Sequence, residues 1–174
     1  LEHELLAQRK VAAVHVGTGN LRRFEKALFL SVSDPKQVSA YLERWRETAR
    51  STEEKLTQTR PLVSEGERAA LQKLDDGLAE YRQGFEGIAT GVTEGRFKSA
   101  ELAEAAMEPL KASIRTFDTA LDALIKSIDA RVQAAQEDIE ADGRAALAAL
   151  AVIGLVSFAV LGLLAAWIVR YCVG

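Results

Sequence analysis

Apolar residues in this 174-residue chain recur at alternating intervals of three and four over long stretches. The clearest stretch consists of Leu71, Leu74, Leu78, Tyr81, Phe85, Ile88 and Val92. A second stretch runs from 110 to 128 with the same spacing and shifts by one residue before Val132. This spacing belongs to a helix with one buried face, whereas a strand would alternate with a period of two. The chain is therefore expected to be all-α.

Proline, glycine and capping residues divide the first 144 residues into predicted helices at about 1–32, 35–59, 65–94 and 99–144. Asp34 followed by Pro35 marks a helix start, because aspartate caps free backbone N–H groups and proline suits the first helical position. Ser64 and Glu67 have the spacing of a capping box, and Gly95 marks a helix end. Short connections between long helices predict an antiparallel up-down-up-down four-helix bundle.

The region 145–169 contains no charged residue and is flanked by Arg144 and Arg170. Its length as a helix is roughly 37 Å, enough to cross a hydrocarbon core of about 30 Å. Trp167 and Tyr171 lie where interfacial aromatic residues are enriched. We therefore predict a transmembrane helix at 145–169 that continues the last bundle helix. The acidic residues before it and Arg170 after it place 170–174 on the cytoplasmic side.

Composition and motifs argue against several classes of function. The net charge is −3 and the cations are dispersed, which does not favour nucleic-acid binding. His3 and His15 are the only histidines and Cys172 is the only cysteine, so we expect neither a metal site nor a disulfide framework. The sequence has no nucleotide-binding, phosphate-binding or hydrolase motif. We expect neither an enzyme nor a cofactor.

Cations and aromatic residues gather at one level of the predicted bundle, towards the end that lies away from the membrane. The candidate ligand-binding residues are Arg22, Arg23, Lys26, Tyr41, Arg44, Trp45, Tyr81, Lys111 and Arg115, and Arg82 lies at the same level. Guanidinium groups bind carboxylates through paired hydrogen bonds, and aromatic walls shield such a site from water. This pattern predicts a small organic acid as ligand. The alternative is that the aromatic residues pack in the core and the cations form surface ion pairs.

A helical wheel leaves two apolar residues of the first helix without a partner. Leu21, Phe24 and Leu28 form its core stripe, and Phe29 points about 80° away from Leu21. Leu30 lies on the opposite side. A second copy of the helix would cover both residues, so Phe29 and Leu30 are predicted to form a homodimer interface.

Two further features leave alternatives open. Pro109 lies inside the predicted fourth helix, where it either bends the helix or is tolerated close to its start. Gly17 and Gly19 either loosen the first helix or allow another helix to approach closely.

Three stretches of sequence resemble one family of receptors. RRFEKALFL at 22–30 is similar to the R-x-E-K-D-F-L motif of helical-bundle receptor domains, although Ala27 replaces the usual aspartate. LAEYRQGFEGIATGVTEGRF at 78–97 and AEAAMEPLKASI at 103–114, before a helix into the predicted membrane span, also look like this family. The chain thus resembles the periplasmic four-helix-bundle sensor domains of bacterial methyl-accepting chemotaxis receptors.

The resemblance implies a homodimer in the bacterial inner membrane, with residues 1–144 in the periplasm. Ligand in this family lies at the dimer seam, held by first-helix arginines of both subunits and the start of the fourth helix. A small shift of that helix passes through the membrane span to a cytoplasmic module for chemotaxis. Similar bundles occur on histidine kinases and cyclases, which is one alternative. Another is a membrane-anchored helical bundle that binds a periplasmic protein.

Overall fold

The computed structural model describes the backbone of residues 2–172, with all side chains in that range except those at 142, 145, 146, 156, 158–160, 163, 165, 166, 168, 169, 171 and 172. The helices are α1 (Glu2–Leu30), α2 (Pro35–Thr59), α3 (Arg68–Thr93), α4 (Ala100–Ala106) and α5 (Lys111–Cys172). Short 3₁₀ turns lie at Arg60–Leu62, Glu65–Glu67 and Glu108–Leu110. No strand occurs among the described residues, and the predicted all-α class is confirmed.

The predicted capping residues lie at the observed helix ends. Asp34 Oδ1 accepts hydrogen bonds from two backbone N–H groups in the first turn of α2, at 3.1 and 3.2 Å, and Pro35 is the first residue of that helix. The capping box of Ser64 and Glu67 forms before α3. Gly95 follows α3 with φ of +71°, a left-handed conformation that other residues rarely adopt. Local sequence therefore determines where α2 and α3 begin and where α3 ends.

Pro109 causes the largest departure from the predicted helices. Instead of one helix from 99 to 144, α4 ends at Ala106 and α5 begins at Lys111 after a 3₁₀ turn. Proline has no backbone N–H, and its ring clashes with the carbonyl group four residues earlier in a helix. Pro109 is therefore not tolerated within one continuous helix, and its effect is an interruption instead of the expected bend.

The chain divides into two units, Leu1–Val132 and Gln133–Gly174. In the second unit the side chains of Ile139, Leu147 and Leu155 are more than half exposed. Among the described residues no helix is both long and apolar enough to span a membrane. Many side chains of the predicted span at 145–169 lie outside the described residues. The span and the predicted domain boundary at 144 stay predictions.

One hydrophobic core occupies the first unit. All seven spaced apolar residues of the predicted stretch from 71 to 92 are buried, and so are Phe117, Leu121, Leu124 and Ile128 in α5. At the centre lies an aromatic cluster made of Phe29, Trp45, Tyr81 and Phe85. The Trp45 and Phe85 rings are 4.3 Å apart between centroids, and both side chains are fully buried. Burial of this apolar surface is the main favourable contribution to folding.

Gly17 allows α1 and α2 to approach closely. A Cβ atom placed on Gly17 would lie 2.3 Å from Oγ1 of Thr52, which is far inside van der Waals contact. A Cβ atom on Gly19 would have no neighbour within 4 Å. Of the two alternatives for these glycines, close helix contact therefore holds at Gly17, while Gly19 faces open space.

Two glycines of α3 make room for the large side chains that follow the Pro109 break. A Cβ atom on Gly77 would lie 3.1 Å from Phe117, and one on Gly84 would lie 2.3 Å from Leu110. Residues seven apart lie on the same face of a helix. This face of α3 therefore accepts the beginning of α5 at close range.

A buried carboxylate joins three segments of the first unit. Glu67, only 3% exposed, accepts hydrogen bonds from Ser127 Oγ at 2.7 Å and from Arg131 Nε at 3.1 Å. Arg131 also lies 2.8 Å from a carboxylate oxygen of Glu4 in α1. Burial alone would raise the pKa of Glu67, but hydrogen bonds from Ser64 and Ser127 and the charge of Arg131 hold it below its ordinary value.

The first prediction compares two glycine substitutions in α1. Gly17→Ala should lower the free energy of unfolding by about 1–3 kcal/mol, because the new methyl group overlaps a buried threonine. Gly19→Ala should raise it by roughly 0.5–1 kcal/mol, because alanine favours a helix and nothing opposes its side chain. Urea unfolding of the full chain measures both. Equal stability of the two variants would contradict the close contact, and Thr52→Ala should restore part of the stability of Gly17→Ala.

The second prediction concerns acid stability. A lowered folded-state pKa means that Glu67 stabilises the protein above its ordinary pKa of 4.5, and that this contribution is lost as the pH falls through the lowered value. Glu67→Gln should remove that part of the pH dependence and cost about 1–3 kcal/mol at neutral pH. Urea unfolding at several pH values measures this.

The matched control is Glu65→Gln in the same turn. Glu65 is 83% exposed in its ion pair with Arg68, so its removal should leave stability almost unchanged. If Glu65→Gln and Glu67→Gln have the same effect, the buried network contributes nothing specific.

Candidate functional site

A cleft of about 340 Å³ lies between α1, α4 and the start of α5, and we call it the α1–α4–α5 cleft. Its charged lining residues are Arg22, Glu25, Lys26, Glu104 and Lys111. Its apolar lining residues are Phe29, Leu30, Ala100, Met107 and Ile114. A cleft of this volume matches the smaller sites that proteins use for small molecules.

Helix geometry and the Pro109 break bring these residues together. On α1, Arg22, Lys26 and Phe29 are separated by four and three residues, so they share one face. The interruption at Pro109 begins α5 at Lys111, and this places a cation in its first turn beside that face. The cleft therefore depends on a local break as much as on helix periodicity.

The three cations of the cleft differ in how far they are already paired. Nη2 of Arg22 donates to both carboxylate oxygens of Asp118, at 2.6 and 2.5 Å. Nζ of Lys111 lies 2.5 Å from the Glu108 carboxylate. Lys26 has no ion pair or hydrogen bond with any residue that the structure describes. Lys26 is thus the cation most available to an anion from solution.

A hydrogen bond connects the cleft to the aromatic cluster. The hydroxyl group of Tyr81 donates to the carboxylate of Glu25. Burial, followed by the negative charge of Glu25, raises the pKa of Tyr81 far above its ordinary value, so the hydroxyl keeps its proton. Burial also raises the pKa of Glu25, as does repulsion from Glu104, while the Tyr81 hydrogen bond and Arg22 oppose the rise.

Three of the predicted ligand-binding residues, Arg22, Lys26 and Lys111, line this one cleft. Trp45 and Tyr81 instead lie in the core, with 0% and 6% of their surface exposed. Their burial agrees with the packing alternative. Tyr81 still acts on the cleft indirectly, through Glu25.

The remaining predicted residues lie elsewhere. The guanidinium of Arg23 sits 4.9 Å from the ring centroid of its neighbour Phe24. Arg44 is exposed on α2, and Tyr41 is half-buried against the core. Arg115 lines a separate groove between α3 and α5. None of these four predicted residues lines the α1–α4–α5 cleft.

The two residues predicted at a dimer interface have different environments. Phe29 is only 5% exposed in the single chain, and its ring lies 5.9 Å from that of Phe85. Its burial therefore needs no second copy, contrary to the wheel argument. Leu30 is 71% exposed in the single chain, so it is accessible to a second copy.

Sequence reasoning missed the two carboxylates of the cleft. Glu25 follows Arg22 by three residues, a spacing that places both side chains on one helix face, but in the sequence it counted only as a possible ion-pair partner of Arg22. Glu104 had no such signal, because its position depends on where α4 ends and how it packs.

The lining combines three cations, two carboxylates and an apolar wall. Its formal charge is +1, from three positive and two negative groups. A carboxylate close to Lys26 would gain charge-assisted hydrogen bonds, while an apolar body would contact Met107 and Ile114. The cleft therefore suits a small acid with an apolar part.

The third prediction tests the state of Glu25. Its raised pKa means that its contribution to stability is greatest below the ordinary value of 4.5 and is lost as the pH rises through the raised value. Glu25→Gln should therefore be at least as stable as the original protein at neutral pH, since glutamine can still accept the Tyr81 hydrogen bond. Tyr81→Phe should cost about 1–3 kcal/mol, because a half-buried carboxylate loses its donor.

Carbon-detected NMR titration of the Glu25 carboxyl group, together with urea unfolding, provides the measurement. A midpoint at or below 4.5 would contradict the environment described for Glu25.

No family model matches this chain, and no curated protein or solved structure was found to be similar to it.

Proposed function

We propose that this chain is the ligand-sensing part of a bacterial transmembrane chemoreceptor and that it binds a small organic acid in the α1–α4–α5 cleft. One observation carries the proposal: Arg22 and Lys26 of α1 and Lys111 of α5 border a single cleft with an apolar wall. Cations from two helices around one volume suit a carboxylate that bridges those helices. The likeness to chemotaxis receptors in sequence supports the same function.

The proposal takes the first unit to be an antiparallel up-down-up-down bundle. The side chain of Gln8 in α1 donates to Asp129 of α5 at 2.8 Å, and Arg22 of α1 donates to Asp118 of α5. Residue numbers therefore increase along α1 while those of the partners in α5 decrease. The ion pairs of α2 and the turn after it with α3 follow the same reversed order, and they are Arg46–Glu86, Glu53–Arg82 and Arg60–Asp75. This order supports antiparallel neighbours.

The proposed receptor is a homodimer in the bacterial inner membrane, with its sensor bundle in the periplasm. Val16 and Leu30 are 61% and 71% exposed and lie fourteen residues apart, so they share one face of α1. Gly19 lies on the same side, with open space around it. A face with exposed apolar residues and open space around it suits a second copy of α1. The membrane attachment rests on the uncharged sequence at 145–169.

Ligand binding would act on the contact between α1 and α5. Arg22 is held by Asp118 and Lys111 by Glu108, so an entering carboxylate would be received first by Lys26. Lys111 would join it by leaving its exposed ion pair with Glu108. An anion between these two lysines draws α1 and the start of α5 together, and it favours a different relative position of the two helices. Small helix shifts of this kind are a known means of signalling.

The fourth prediction is that a small organic acid stabilises the protein. A screen of the full chain with mono- and dicarboxylates, aliphatic and aromatic, should give an increase in melting temperature for at least one of them. Lys26→Gln should then weaken binding roughly tenfold by calorimetry, because one charge-assisted contact is lost. Its own melting temperature should not change, since Lys26 has no partner among the described residues.

Lys36→Gln is the matched control, because Lys36 is an exposed lysine of α2 outside the cleft. If no acid raises the melting temperature, the sensor proposal fails. If Lys36→Gln weakens binding as much as Lys26→Gln, the acid is bound by general charge and not by the cleft.

A further inference from the structure

A second and larger depression, of about 630 Å³, lies between α2 and α3, and we call it the α2–α3 groove. Its charged lining residues are Arg46, Arg50, Arg82 and Glu86. It shares no lining residue with the α1–α4–α5 cleft. Of these four residues, Arg82 is the one that the sequence also places at the level of the predicted ligand-binding residues.

The groove follows from where small and long side chains lie on the two helices. Arg46 and Arg50 are four residues apart on α2, so they point to the same side. Ala49 and Ala79 also line the groove, and their short side chains leave the space between α2 and α3 unfilled. Arg82 reaches the same space from α3.

The three guanidinium groups have unused hydrogen-bond donors. Arg46 gives its Nε and one Nη donor to Glu86, at 2.8 and 2.6 Å. Arg82 donates from Nη1 to Glu53 at 3.0 Å. Arg50 has no ion pair with any described residue. Because each guanidinium carries five N–H groups, most donors around the groove remain available.

The electrostatic balance of the groove differs from that of the cleft. Three arginines face one carboxylate, so the lining has a formal charge of +2. That carboxylate, Glu86, is already neutralised by Arg46. The core residues Trp45 and Ala49 border the groove but are almost fully buried, and they offer little apolar wall to a ligand. A ligand with several charged groups and no apolar body fits this surface.

We propose that the α2–α3 groove binds a small multivalent anion, with two or more phosphate or carboxylate groups, as a site separate from the α1–α4–α5 cleft. Arg50 receives one anionic group without giving up an existing ion pair. The free donors of Arg46 and Arg82 receive another across the groove, in the paired geometry that guanidinium forms with carboxylate and phosphate.

Acidic residues nearby limit the affinity. Glu43 and Glu47 border an adjoining depression on α2 together with Arg46 and Arg50. Their charges reduce the positive potential, and the groove is open to water and salt. The affinity should therefore be modest and should fall as ionic strength rises.

The test is calorimetric titration of the full chain with pyrophosphate and with citrate at low ionic strength. At least one of the two should bind with one saturable site per chain. Arg50→Gln should weaken that binding roughly tenfold, because a charge-assisted contact is lost. Arg82→Gln should also weaken it. The melting temperature of Arg50→Gln without ligand should equal that of the original protein.

Arg44→Gln is the matched control, since Arg44 is an exposed arginine of α2 that does not line the groove. Its binding of either anion should be unchanged, and so should that of Lys26→Gln. Three outcomes would overturn the proposal: no saturable binding at millimolar concentrations, an equal loss in Arg44→Gln, or a loss in Lys26→Gln that places the anion in the other cleft. Lys26→Gln tests the cleft and Arg50→Gln tests the groove. The absence of anion binding in the groove therefore does not contradict acid binding in the cleft, and the absence of acid binding in the cleft does not contradict anion binding in the groove.

Discussion

The aromatic cluster of Phe29, Trp45, Tyr81 and Phe85 is the contact on which the first unit depends. Its members come from α1, α2 and α3, and the centroids of the rings in contact lie between 4.3 and 6.3 Å apart. Such rings combine a large buried area with a preferred geometry, so they fix the rotation of each helix as well as its distance. Once α1 is oriented in this way, Arg22 and Lys26 face the α1–α4–α5 cleft. Tyr81 then extends the cluster to the cleft by donating to Glu25.

The α1–α4–α5 cleft and the α2–α3 groove both border the aromatic cluster, but their other neighbours differ. Beside α1, the space next to the cluster is closed by Met107 and Ile114, so the cations there have apolar neighbours. Between α2 and α3, Trp45 of the cluster is fully buried beside Ala49, and the arginines around the groove are exposed to water. A charge near apolar walls interacts more strongly with a ligand than one in open solvent. Specific recognition of one acid therefore suits the cleft, and weaker, salt-sensitive binding of several charges suits the groove.

Much of the fold was predictable because its signals are local. The burial of the seven spaced apolar residues between Leu71 and Val92 follows from their intervals of three and four, and the start of α2 follows from Asp34 and Pro35. The outcome at Pro109 was not predictable, since a proline near a helix start is tolerated in some contexts and breaks the helix in others. Phe29 illustrates another limit. A wheel gives its direction on α1, but only the neighbouring helices decide that it meets Phe85 and is buried.

The candidate site was predictable only in part, for the same reason. Sequence alone determined the all-helical class, most of the helix ends, the residues of the core seams and the presence of several cations on α1, because each depends on neighbours within a few positions. Tertiary structure decided which cations share a volume and that Glu25 and Glu104 accompany them. It also decided that Trp45 packs in the core and does not line the α1–α4–α5 cleft, and that Glu67 meets Arg131. These contacts join residues far apart in the chain, and their geometry depends on how whole helices pack against each other.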